Sequence, residues 1–200
     1  MFRIHFEYSQ SERMILLENA LQFLKARRST RAYLDKAVPS ECLEAVLEAG
    51  RYAPSGKNVQ ATHFLVVRNK AVLGRLAQLV REGFHRTGED RPEGYTFHYN
   101  PDVLIITCNR TDNPNGLADC ACALENMMLM ASSLELGSCW INQLKSLNQD
   151  SEINAYLISL GMDPQELVYG ALALGYAATE DGLPNHEPGQ RKGNPVTYVE

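Results

Sequence analysis

Four of the chain's 19 basic residues fall within seven positions, in the run Lys25-Ala26-Arg27-Arg28-Ser29-Thr30-Arg31, and no acid lies between Glu18 and Asp35. Like charges this close repel, so the run is favourable only when solvated or matched by an anion. Guanidinium forks bind phosphate oxygens in pairs and a Ser hydroxyl adds a donor, so one reading is a phosphate cradle. The other is a solvated helix end, where bases suit the dipole. A second group is Ala53-Pro54-Ser55-Gly56-Lys57-Asn58-Val59-Gln60. It lacks the spacing of a Walker loop. Its amides offer donors and acceptors to the edge of a flat heterocycle, although an ordinary turn uses the same residues. A third group, Leu136-Gly137-Ser138-Cys139-Trp140-Ile141, holds the single Trp, which taken alone reads as core packing. Cys139 is a poor nucleophile, since it lacks a base and its apolar neighbours disfavour the thiolate. The fourth, Arg191-Lys192, lies in a Pro/Gly tail. It reads either as a mobile terminus or as a second clamp on the same anion.

No other chemistry announces itself. The five histidines (His5, His63, His85, His98, His186) are scattered without metal spacing, and Cys120-Ala-Cys122 has no partner pair. There is no paired-carboxylate motif, no G-x-S-x-G and no G-x-G-x-x-G. No metal site is expected and no side chain is assigned as a catalytic acid, base or nucleophile. If the chain is an enzyme, a cofactor carries the hard chemistry.

The remaining numbers bound the class. Two hundred residues suit a single domain spanning 1–200, and 44% hydrophobic content supports a sizeable core. A charged content of 22% argues against disorder. The net charge of −5 disfavours general nucleic-acid binding, while a local basic patch can still hold a phosphate. Five cysteines, an odd number, do not form a disulfide framework and fit a reducing cytoplasm. The opening MFRIHFEYSQSER has no apolar signal region. Residues 117–136 carry Asp119, Glu125, Asn126 and Glu135, too polar to span a bilayer, so no membrane partner is expected.

Elements must bring these groups together. Apolar spacing predicts helices over 11–26 with Ser11 as cap, over 40–50 and over 70–83. A long helix over 116–136 and another over 150–160, stopped by Gly161, follow the same logic. Continuous apolar runs predict strands at 63–68 and 102–108 buried on both faces, with others at 137–141 and 166–176. Residues 84–100 read as a loop or lid, and 181–200 as an extended tail. Helices and strands interleave, which gives a mixed α and β class.

In this order and at these intervals the four groups resemble the nitroreductase family of FMN-dependent flavoproteins, from about residue 22 to residue 200. Arg27-Arg28-Ser29-x-Arg31 is similar to the family's RRSxR signature. Ala53-Pro54-Ser55-x-x-Asn58-x-Gln60, followed by Phe64 and an apolar strand, resembles its second segment. Gly137-Ser138-Cys139-Trp140-Ile141 resembles the third, and Leu174-Gly175-Tyr176 with Arg191-Lys192 the closing strand and tail. Residues before the matching region look like an added strand or arm.

The resemblance implies an α+β, nitroreductase-like fold. Its central, mostly antiparallel sheet is flanked by helices, and the chain forms an intertwined homodimer with FMN at the interface. It implies ping-pong transfer from NADH or NADPH through the flavin to a nitroaromatic, quinone or enone. Arg27, Arg28, Ser29, Arg191 and Lys192 would hold the phosphate. Arg31 and Asn58 would lie near the ring, where donors stabilise charge that develops on reduction. Pro54, Ser55 and Gln60 would come from the ring edge or the other subunit. Trp140, Ile141, Asn142 and Gln143 would pass along the isoalloxazine, with a backbone N–H near N5. Three departures bear on the shape around the ring. Gln60-Ala61-Thr62 stands for the commoner Gln-Pro-Trp, Asn142 for a frequent Gly, and Gly175-Tyr176-Ala177 for Gly-Tyr-Pro. Tyr95, Phe97, His98 and Tyr99 either stack on an aromatic acceptor or tuck into the core. The rival readings are an FMN-binding protein without efficient turnover, a family branch specialised for reductive dehalogenation or flavin consumption, and a phosphoanion binder without flavin.

Overall fold

The computed structural model describes residues 10–200. The expected N-terminal arm lies in part on residues 1–9, outside the described residues, as do the side chains of Ser11, Ile15 and Leu16. Two compact units form, a central one of Ser29–Pro184 and a terminal one in which residues 10–28 join Asn185–Glu200.

The central unit is built on four antiparallel strands in the order β1-β2-β4-β3. They are β1 (His63–Val67), β2 (Val103–Arg110), β3 (Gly137–Ile141) and β4 (Glu166–Gly175). Alternate side chains on a strand point to opposite faces, and here each face meets its own helices. Val103 and Ile105 of β2, with Leu172 and Leu174 of β4, pack on α2 (Ser40–Arg51) and α4 (Gly116–Ser133). Leu104 and Ile106, with Ala171 and Ala173, pack on α3 (Lys70–Arg86), α5 (Gln143–Ser146) and α6 (Ser151–Ser159). Burial on both faces explains the unbroken apolar runs of the two central strands.

The expected double burial of the 63–68 strand is corrected. β1 is an edge strand, so His63, Phe64 and Leu65 are half-buried and Val66 is 36% exposed. α4 is also less enclosed than its composition suggests. It stops at Ser133, and Leu117 and Cys122 stay exposed. α3 runs to Arg86, taking the first residues of the expected loop. Asp150 caps α6 by accepting from the Glu152 and Ile153 N–H groups, and Arg86 at the end of α3 pairs with it at 2.7 Å.

In the terminal unit α1 spans Gln10–Ala26, so Ser11 lies inside its first turn rather than before it. The tail from residue 185 onward has no helix or strand. Leu21, Phe23 and Leu24 of α1 remain exposed.

Candidate active site

In the central unit Ser29 and Thr30 dock on β3. Ser29 bridges to Ser138 in parallel, and the Thr30 N–H donates to the Ser138 carbonyl at 2.8 Å. This contact depends on Gly137, because a Cβ there would stand 2.8 Å from Thr30 Cγ2. The chain then runs beside the strand end, with the Leu34 N–H donating to the Tyr176 carbonyl at 2.9 Å. The Tyr33 hydroxyl donates to the Thr30 carbonyl at 2.7 Å, and burial pushes its pKa far up. Two of the four sequence groups, 109 residues apart at Ser29 and Ser138, are thereby adjacent. Ser29 and Arg31 are both solvent-exposed.

In the terminal unit the tail lies against the end of α1. Arg28 donates from Nη1 to the Glu187 carbonyl at 2.6 Å. Its guanidinium covers Gly189, where a Cβ would stand 3.2 Å from Cζ. Beside it a cleft of about 300 Å³ is lined by Gln22, Lys25, Pro188, Gly189 and Arg191. No carboxylate side chain lines that cleft among the described residues. Cations without a matching acid are what a phosphate site needs, and this fits the phosphate of FMN. Arg27 is half-buried; Lys192 is exposed and does not line the cleft. Lys25, part of the charge run in sequence, lines this cleft.

The loop 53–60 is held in an unusual shape. Lys57, Asn58 and Gln60 all have φ near 55°, in the left-handed region that costs residues with a Cβ. Such outliers persist only where surrounding bonds enforce them. Ser55 Oγ accepts from the Gln60 N–H at 3.0 Å, and Gln60 Nε2 donates to Asn58 Oδ1 at 2.8 Å. The Gly56 N–H donates to Asp119 Oδ1 at 2.8 Å, and Asn113 Nδ2 donates to its other oxygen at 3.1 Å. Asp119 is buried on α4 and anchors the loop. It gave no signal in sequence, since an isolated acid in an apolar helix that also carries Glu125 forms no motif. Pro54, Ser55 and Gln60 line a cleft of about 260 Å³ with Phe64 and Thr62. Asn58 is exposed at its side and does not line it.

The segment after β3 lines a larger cleft of about 560 Å³. Trp140, Asn142 and Gln143 share its lining with Phe84, Arg91 and Lys145. Trp140 Nε1 donates to Asn142 Oδ1 at 3.1 Å, and Gln143 Nε2 to the Tyr95 hydroxyl at 3.2 Å. Ile141 is buried in the core and does not line this cleft. Of the aromatics in the expected lid, Phe97 and His98 are buried. Burial lowers the His98 pKa and its Nε2 lies 3.2 Å from the Leu73 carbonyl, so they support the core. Tyr95 and Tyr99 are half-buried against the same core. Arg91, in a loop, and Lys145, in the short α5, are isolated charges with no sequence pattern, and only the structure puts them on one lining.

The sequence profile of the nitroreductase family matches residues 24–176. A crystal structure of a nitroreductase with bound FMN from Bacteroides fragilis is 41% identical, with a TM-score of 0.81, and the match covers 90% of this chain and 98% of that one. An FMN-dependent nitroreductase from Clostridium difficile is 29% identical with a TM-score of 0.66, over 82% of this chain and 91% of that one. A protein of Archaeoglobus fulgidus, provisionally named NADH dehydrogenase/NAD(P)H nitroreductase, is 28% identical across 82% of this chain and 88% of its own length.

Proposed function

We propose, because the chain belongs to the nitroreductase family, that it moves reducing equivalents from NADH or NADPH through bound FMN to a flat, electron-poor acceptor such as a nitroaromatic, quinone or enone. The observation that carries the cofactor assignment is the acid-free cleft of Lys25 and Arg191 beside Arg28. When bound, FMN would supply the redox chemistry, a two-electron exchange between nicotinamide and acceptor.

The chain's own residues bind, orient and tune. Arg28, Arg191 and Lys25 hold the phosphate, assisted by Arg27, Ser29 and Lys192. Arg31 and Asn58 donate toward the ring, where fixed positive groups favour the charge that reduction creates. Pro54, Ser55 and Gln60 present a rigid loop edge. The backbone of Trp140, Ile141, Asn142 and Gln143 would hold the ring and supply an N–H to it.

A homodimer is part of the proposal. The exposed Leu21, Phe23 and Leu24 on α1 and the exposed Val196, Tyr198 and Val199 of the tail support it, because apolar groups clustered at a surface mark contact sites. The free thiols are consistent with a reducing compartment such as the cytoplasm. No described helix is long and apolar enough to cross a membrane.

The test is the anaerobic visible spectrum of the purified protein before and after NADH and then NADPH. A flavin spectrum that bleaches supports the reading, and the faster reductant gives the preference. A flavin that does not bleach leaves a binding protein. No flavin after incubation with FMN overturns the assignment.

A further inference from the structure

We propose that Arg91 and Lys145 make this chain select acceptors that carry an anionic group, a carboxylate or sulfonate, on a flat aromatic ring. The proposal rests on the oxidoreductase reading above. The cleft beside β3 has an aromatic lining, with Phe84 buried and Trp140 half-buried. Two cations share that lining with one acid, Glu89.

Arg91 lies with its guanidinium carbon 4.0 Å from the Phe84 ring centre and 5.9 Å from that of Tyr95. Its Nη2 pairs with Glu89 at 2.7 Å, while its Nε is buried without a hydrogen-bond partner. A buried donor left unpaired is costly, and a charged one more so. Lys145 is exposed and has no ion-pair partner among the described residues.

Most uncharged polar groups of the cleft are already engaged, Ser146 Oγ with the Gln143 carbonyl among them. Asn142 Oδ1 accepts from Trp140, and Gln143 donates to Tyr95. Charge recognition therefore falls to the cations. A neutral ring seated on Phe84 and Trp140 would strip water from Arg91 and give nothing back. A ring bearing a carboxylate replaces that water at the exposed part of the guanidinium and matches the excess positive charge.

The same cations could instead read the 2′-phosphate of NADPH, and the experiment separates the two sources. In a ping-pong enzyme kcat/KM for the acceptor is independent of the reductant. The holoenzyme is assayed with 4-nitrobenzoate and 4-nitrobenzamide, which differ in charge and little in shape. The ratio of their kcat/KM values should favour the carboxylate. Arg91→Gln should lower that ratio by about tenfold and exposed Lys145→Gln by about threefold, while Glu89→Gln raises it.

Fluorescence of Trp140, the only Trp, gives a readout independent of turnover, titrated with benzoate and benzamide. Benzoate should bind the more tightly, and the variants should shift its affinity in the same directions. A ratio unmoved by all three variants overturns the proposal. So does an equal loss for both acceptors, which marks packing, or a loss confined to NADPH over NADH, which assigns the cations to the reductant. Should Arg91→Gln fail to fold, exposed Lys145→Gln still decides. Preference for benzoate in a protein whose flavin NAD(P)H does not bleach sinks the oxidoreductase reading alone.

Discussion

Arg28 holds its guanidinium against Gly189 and commits one N–H to the Glu187 carbonyl, leaving its other donors for an anion. Hydrogen bonds between charged partners contribute about 1.5–3 kcal/mol each. Arg28→Ala or Arg191→Ala should therefore weaken FMN binding by about ten- to a hundredfold, read by flavin fluorescence titration. Lys192→Ala should do less, since Lys192 does not line the cleft. The thiols offer a second residue-scale prediction. Burial raises the Cys120 pKa to about 11, and Cys122 two positions on is exposed. At pH 8 iodoacetamide should label Cys122 and leave Cys108, Cys120 and Cys139 unmodified in the folded protein, as read by mass spectrometry. The raised pKa also sets an alkaline limit. The stability it contributes is complete below the ordinary thiol pKa near 9 and is lost as pH rises toward about 11. Chemical denaturation should show falling stability across that window.

Elements carry the contacts that join these residues. Gly137 lets the 29–34 segment lie against β3, so Gly137→Ala drives a Cβ into Thr30. The expected cost is about 1–3 kcal/mol in denaturant melts, with weaker retention of FMN. Asp150 links α3 to α6. Its partial burial works against the charged form, yet hydrogen bonds from the Ile153 N–H and Arg86 hold its pKa below the usual range. Asp150→Ala should cost about 1–2 kcal/mol at pH 7 through the lost cap. A depressed carboxylate stabilises above its unfolded pKa and loses that effect as pH falls through the folded one. The gap between wild type and variant should thus narrow below about pH 4. Helix and strand positions were legible where a local pattern was long, the helical period of α3 and the apolar run of β4. The edge status of β1 was not, because His63–Val67 reads as apolar whether one neighbour pairs with it or two.

At the scale of the whole molecule the unresolved demand is apolar surface on α1 and the tail. Leu21 and Leu24 are about half exposed, and Val199 is 93% exposed. If a second copy covers them, light scattering should give twice the chain mass of 22.3 kDa. Phe23→Asp with Leu24→Asp should then yield monomers with reduced FMN content. A monomeric wild type at micromolar concentration would overturn the dimer.

The sequence alone determined the class, the two central strands and the chemistry of the four residue groups, because periodicity, charge and side-chain type are local properties. It also placed the basic cluster and the tail cations on the chain. Only the tertiary structure decided which groups meet. Thr30 reaches Ser138, and Arg28 covers Gly189, through contacts between residues more than a hundred positions apart, which no local pattern encodes. The aromatics of residues 95–99 show the same division. Their composition suited a lid and a core equally, and the space between α3 and the sheet took Phe97 and His98 inward. Burial on the sheet depends on neighbours that a strand's own residues do not specify.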